Sequence, residues 1–230
     1  MVVQDKTQVE MPLPGAGLQL AEVVLREKVP AAVETGLPKA WDGRLAYVLT
    51  NVGSPPVLAP VAMALTATVL AEPLAWMWTG LYVLLTVVTP VLYLTWLKHR
   101  GLITDLDVQL REQRMRPMLF TLACGGLAWL VLLIGAAPVQ MTLLAGLLWL
   151  QMIVILSITL RWKISVHCAT AAGAATVACV SLGTPLPLLV VPVIAWSRVR
   201  LRRHTLAQTV AGSLLGFGLF AIVLYIAYGR

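Results

Sequence analysis

Charge is scarce in this chain. Only 12% of its 230 residues are Asp, Glu, Lys or Arg, where a soluble globular domain carries about 25%. The shortage excludes an ordinary soluble domain, because apolar runs of about 20 residues or more fill the gap, and that is the length a bilayer-spanning helix needs. Acidic residues are scarcer than basic ones, 10 against 17, which leaves a formal net charge of +7. No basic, aromatic-interleaved soluble stretch could turn that excess toward nucleic acid. A membrane protein facing an anionic leaflet accounts for it. Cysteine occurs three times, at Cys124, Cys168 and Cys179, each inside an apolar run. An odd number of thiols at that depth is not a disulfide framework; they read as small packing residues. The first 43 residues lack the basic lead and apolar core of a cleavable signal peptide.

What is abundant is apolar: 59% of the residues, with mean hydropathy +0.86. The expected fold is all-α, a polytopic transmembrane helix bundle of about six to seven membrane segments. Residues 1–43 form a polar lead. Within it, "GLQLAEVVLREKV" sets Leu18, Val24 and Leu25 against Glu22, Arg26, Glu27 and Lys28, as in an amphipathic helix lying on a membrane surface. Residues 44–230 form the membrane domain. Its spans are expected at roughly Leu45–Ala71, Pro73–Leu97, Met118–Ala136, Val139–Leu160 and Thr205–Tyr228. Two shorter apolar segments, Ala169–Gly183 and Pro185–Trp196, precede the last span. "KHRGLITDLDVQLREQRMRP" (Lys98–Pro117) reads as a polar loop and "RWKISVHC" (Arg161–Cys168) as a polar break.

An even number of crossings separates the polar segments, so they and the N-terminus share one side. That side collects Lys98, Arg100, Arg111, Arg114, Arg116, Arg161, Lys163, Arg198, Arg200, Arg202 and Arg203. The other side holds Glu72 and the terminal Arg230. The positive-inside rule puts the basic side in the cytoplasm. The expected location is the inner (plasma) membrane, multi-pass, with a cytoplasmic N-terminus. The two short segments cannot comfortably cross a core of about 30 Å. As a hairpin they would sink His167 and Arg198 to headgroup depth. Gln208, Gly212 and Gly216 recur every fourth residue along one face of the last span. The glycines suit close helix packing. A polar Gln208 one turn inside a membrane helix points to a task.

Three segments thus bring chemistry to one face: Arg111, Arg114 and Arg116; then Lys163, Ser165 and His167; then Ser197, Arg198 and His204. Guanidinium forks hold phosphate oxygens by paired, charge-assisted hydrogen bonds. A neutral imidazole can attack phosphorus, and a protonated one can release the leaving alkoxide. Two histidines inside a cage of cations make a phosphoryl-transfer site that needs neither metal nor cofactor.

"SRVRLRRHTLAQ" resembles the third signature of the type 2 phosphatidic acid phosphatase superfamily: Ser-Arg, five residues, His, three residues, Asp. Ser197, Arg198 and His204 match; the Asp slot is Gln208. In "ISVH", Ser165 and His167 match the second signature, Pro-Ser-Gly-His, while Ile164 and Val166 do not. Arg116–Pro117 matches the end of the first signature, Lys, six residues, Arg-Pro, whose Lys slot is Gln109. The resemblance spans roughly Arg44–Tyr228. It implies an integral membrane phosphatase acting on a lipid phosphate or diphosphate, such as a polyprenyl one. His204 would be the nucleophile that becomes phosphohistidine, and His167 the general acid. Arg116 and Arg198 would hold the phosphoryl group, helped by Arg111, Arg114, Lys163 and Ser165. In the family the terminal Asp orients the nucleophilic histidine. The Gln208 carbonyl can accept the same hydrogen bond without the charge that steadies an imidazolium, so slower or altered chemistry is expected. The family's site usually faces outside the cell; the charge count here faces it inward.

Two other readings remain open. Asp105 and Asp107 in "TDLD" could hold Mg²⁺ on a prenyl diphosphate, as in membrane transferases, although the other loops bring no further carboxylates. The incomplete signatures also fit a catalytically degenerate protein that binds anionic lipid without turning it over.

Overall fold

The computed structural model describes residues 40–104 and 111–228, the side chains of 111, 112, 114 and 223–228 excepted. The surface helix expected near Leu18–Lys28, the Asp105 and Asp107 pair, and the side chains of Arg111 and Arg114 lie outside the described residues. Those described belong to one unit, Pro38–Arg230, and among them every regular element is helical.

The first apolar run is broken in two, α1 (Trp41–Val52) and α2 (Pro55–Leu70), with axes bent by 51°. The break is chemical. Pro55 and Pro56 lack N–H groups and fit only the opening turn of a helix. Ser54, which precedes them, is forced to extended backbone (φ −76, ψ 152). Helix α3 (Pro73–Val83) continues through a π-turn, Leu84–Val88, into α4 (Thr89–His99). Pro90 cannot donate to the carbonyl four residues back, and the wider turn absorbs that lost bond.

Helix α5 (Arg111–Ile134) starts seven residues earlier than the sequence reading placed its span. "REQRMR" is therefore its opening helix and not the end of a polar loop. Arg, Glu, Gln and Met are all strong helix formers, and Pro117 is carried inside the helix. The Gln113 side chain folds back, its Oε1 accepting from the Thr104 N–H at 3.0 Å. Then come α6 (Val139–Thr159), α7 (Val166–Leu182), a 3₁₀ turn (Leu186–Leu189), α8 (Val190–Arg200) and α9 (Leu206–Tyr228).

Among the described residues, three stretches are long and apolar enough to cross a bilayer: Pro73–His99, Met115–Ile134 and Val139–Thr159. The bent α1–α2 pair makes a fourth if it serves as one span. Large apolar side chains such as Leu92, Leu127, Leu214 and Phe217 lie exposed, a surface suited to lipid. Helix α7, with 17 residues, is about 26 Å long.

Helix α7 is the buried centre. Every residue from Cys168 to Val177 is buried, and α9, α2 and α8 lie against it. Its Ala, Gly, Thr and Cys side chains are small enough to let neighbouring backbones close in. The fit to α9 is the tightest. A Cβ on Gly212 would strike the Ser165 carbonyl oxygen, and one on Gly216 the Ala169 carbonyl. In return, fully buried Phe220 of α9 sits over Gly173 of α7. The face that repeats every fourth residue in the sequence is thus the α7 contact, and it holds the N-terminus of α7 against the N-terminal half of α9.

Candidate functional site

The opening of α7, the end of α8 and the opening of α9 meet. Backbone chemistry explains how. Helix α8 ends in a Schellman turn: the Arg203 N–H donates to the Arg198 carbonyl at 3.0 Å and the Arg202 N–H to the Val199 carbonyl at 2.9 Å. Arg202 takes the left-handed conformation this motif needs (φ 54), a position usually given to glycine. The His204 N–H also reaches the Arg198 carbonyl, at 3.3 Å. The turn therefore fixes His204 relative to Arg198. Arg202→Gly should relieve left-handed strain and raise stability by about 0.5–1 kcal/mol, whereas Arg202→Val should lower it. Thermal melting of the purified protein reads both signs.

Helix α9 opens with a capping box. The Gln208 N–H donates to Thr205 Oγ1 at 3.3 Å, and the Thr205 N–H donates to Gln208 Oε1 at 3.2 Å. A backbone N–H can only donate, so the side-chain atom it meets is the oxygen of the amide. His204 Nδ1 lies 3.2 Å from that same oxygen. Oxygen accepts, so Nδ1 carries the proton of a neutral His204 ring and Nε2 holds the lone pair. Gln208 thus meets the imidazole and caps the helix with the same atom.

Two bonds tie in the opening of α7. The Ser165 N–H donates to the Gln208 carbonyl at 3.2 Å, and Lys163 Nζ donates to the Arg203 carbonyl at 2.6 Å. Ser165 is buried and caps α7, its Oγ accepting from the Cys168 N–H at 3.4 Å. His167 follows in the first turn, half-buried. It stands close enough to Arg198 and His204 for the charge of both to act on it.

Arg198 is 5% exposed. Burying a guanidinium is costly without polar partners, and α1 supplies one. Arg198 Nη1 donates to Thr50 Oγ1 at 3.2 Å, and Ser197 Oγ meets the same atom at 3.2 Å. A forked ion pair, Arg200 to Asp42 at 2.7 and 3.0 Å, holds the start of α1 beside the end of α8. Arg200, counted from sequence among the cations of the basic side, is thus a clasp between two helices.

Of the sequence-derived candidates, Lys163, Ser165, His167, Arg198, His204 and Gln208 come together. Arg116 is exposed on α5. That helix packs through Met118 against the cluster of Ile155, Ile164 and Ala169. Three contributors were missed. Thr205 was legible, because "TLAQ" has capping-box spacing. Thr50 and Asp42 carry no local signal; they matter only because α1 folds back along α8. Chemically, the group can hold an anion between one buried guanidinium and two imidazoles, one of them with a defined tautomer.

No protein-family model matches this chain, and no curated protein or solved structure does either.

Proposed function

We propose that this protein is an integral membrane lipid-phosphate phosphatase of the type 2 phosphatidic acid phosphatase kind. It hydrolyses a polyprenyl or other lipid phosphate or diphosphate without metal, at the cytoplasmic face of the inner membrane. The carrying observation is the joining of three helix ends: the Ser165 N–H bonds the Gln208 carbonyl, the His204 N–H bonds the Arg198 carbonyl, and His204 Nδ1 meets Gln208 Oε1. In this reading the α7–α8 hairpin and α9 also lie within the bilayer. The bundle then has six to seven membrane segments, and the site sits at headgroup depth.

The chemistry follows from the atoms. Arg198 holds the phosphoryl oxygens. His204 Nε2 attacks phosphorus while Gln208 Oε1 holds the Nδ1 proton in place. The bond from phosphorus to the leaving oxygen breaks, and His167 gives that oxygen its proton. Water then attacks phosphorus, His167 takes the water's proton, the bond from phosphorus to His204 Nε2 breaks, and inorganic phosphate departs. A phosphate dianion held among Arg198, His167 and His204 attracts positive charge, so the substrate brings the acid form of His167 with it.

Phosphate release from a panel of polyprenyl and diacylglycerol phosphates in detergent tests the proposal. Turnover should survive EDTA and be blocked by vanadate, which mimics five-coordinate phosphorus. Turnover abolished by EDTA would favour the Mg²⁺-dependent transferase reading of Asp105 and Asp107.

A second reading rests on Gln208: a scaffold that binds anionic lipid and does not hydrolyse it. Gln208→Asp separates the two. In a phosphatase the added carboxylate steadies the imidazolium and raises turnover; in a binder it leaves turnover absent.

A further inference from the structure

A cavity of about 120 Å³ lies among α2, the α3–π-turn stretch, α5, α6 and α7. None of Lys163, His167, Arg198 or His204 lines it. Its wall is mostly apolar, with Pro55, Ala59, Leu148 and Trp149 among the lining residues. Its polar lining residues are Tyr82, Thr86, Thr121, Thr170 and Gln151, and Gln151 stands out among them. Gln151 lines the cavity, is 2% exposed, and its Oε1 has no hydrogen-bond partner. Its Nε2 donates to Thr170 Oγ1 at 3.4 Å, and Thr170 lines the same space.

A buried amide oxygen without a donor is costly, and native structures rarely keep one. Something in the cavity should donate to it. Among the described residues no Lys, Arg, Asp or Glu lines the walls, so a charged group would find no partner in them. The volume is close to the roughly 150 Å³ that admits a benzene-sized molecule. That is ample for a hydroxyl and the first carbons behind it. A hydroxyl both donates and accepts, so it satisfies Gln151 whichever way the amide is turned.

We propose that this cavity binds the hydroxyl end of a neutral long-chain alcohol, and that Gln151 reads the hydroxyl. The alkyl body would lie along the apolar wall. Such an alcohol is also the product class of the hydrolysis proposed above. The site, however, is argued from the cavity alone, and binding is measured without turnover, so the two proposals fail separately.

Photolabelling tests it. The full chain in phosphatidylcholine nanodiscs is exposed to a diazirine-bearing hexadecanol, irradiated, and its peptides sequenced. Label is expected on α6 around Trp149–Met152 and on α7 around Val166–Thr170. Unlabelled hexadecanol should compete, and hexadecane and hexadecyl phosphate should not. Gln151→Leu, which keeps bulk and removes the acceptor, should lower the competed label about tenfold. Ala59→Leu, which fills the half-buried wall, should lower it in a chain whose amide is intact. Competition by hexadecane equal to that by hexadecanol would overturn the proposal. So would full labelling of a normally melting Gln151→Leu protein. Label no higher than in bulk lipid would reduce the cavity to a pocket holding water only, and overturn it too.

Discussion

His204→Ala is expected to lower the proposed phosphate release by about 10³-fold or more and to leave the fold in place. The size of the loss follows from the role: no other imidazole in the site has its tautomer fixed by a side-chain acceptor. The intact fold follows from the bonds. The capping box runs between Thr205 and Gln208 and does not use the imidazole. The tie from Ser165 to α9 is backbone to backbone. Binding of a lipid phosphate should change only a few-fold, because Arg198, anchored on Thr50, still meets the anion. Phosphate release and the melting temperature of the two proteins, measured side by side, check both halves. A variant that keeps full turnover would remove His204 from the chemistry.

Gly216→Leu is expected to be the most damaging single change to stability, about 3 kcal/mol or more. Even the first carbon of a side chain there strikes the Ala169 carbonyl, and a main-chain oxygen at the buried centre of the bundle has nowhere to go. The strain falls where α7 meets α9, so the loss should reach the site as well, pulling Ser165 from Gln208. Gly218 is the internal control: a Cβ there meets nothing within 4 Å, and Gly218→Leu should melt close to the parent protein. Equal melting of both variants would mean that α9 does not lie on α7 as described.

How much of this could be read from the residues differs from place to place. The helical class and the long spans follow from composition, since apolar runs of that length have few other uses. The repeat of Gln208, Gly212 and Gly216 announces a packed face, and α7 occupies it. The break at Gly53–Ser54 was signalled by two prolines, yet residue counting merges the halves because both are apolar. The start of α5 was hidden by charge: Arg, Glu and Gln look like loop residues while being good helix formers. The Schellman turn left no trace, because Arg202 stands where glycine usually does. Within the site, histidines and arginines declare themselves by type. Thr50 and Asp42 do not. A threonine inside an apolar helix usually bonds its own backbone, as Thr66 does to the Ala62 carbonyl at 2.9 Å. Only the path of α1 along α8 turns Thr50 toward Arg198.

The most direct test is to trap the covalent intermediate. Protein mixed with a radiolabelled lipid phosphate, quenched in alkali and digested, should yield a phosphorylated histidine at His204 that disappears in His204→Ala and is hydrolysed on a chase without substrate. Steady turnover with no label on any histidine, or label on a peptide outside the joined ends of α7, α8 and α9, would contradict the account.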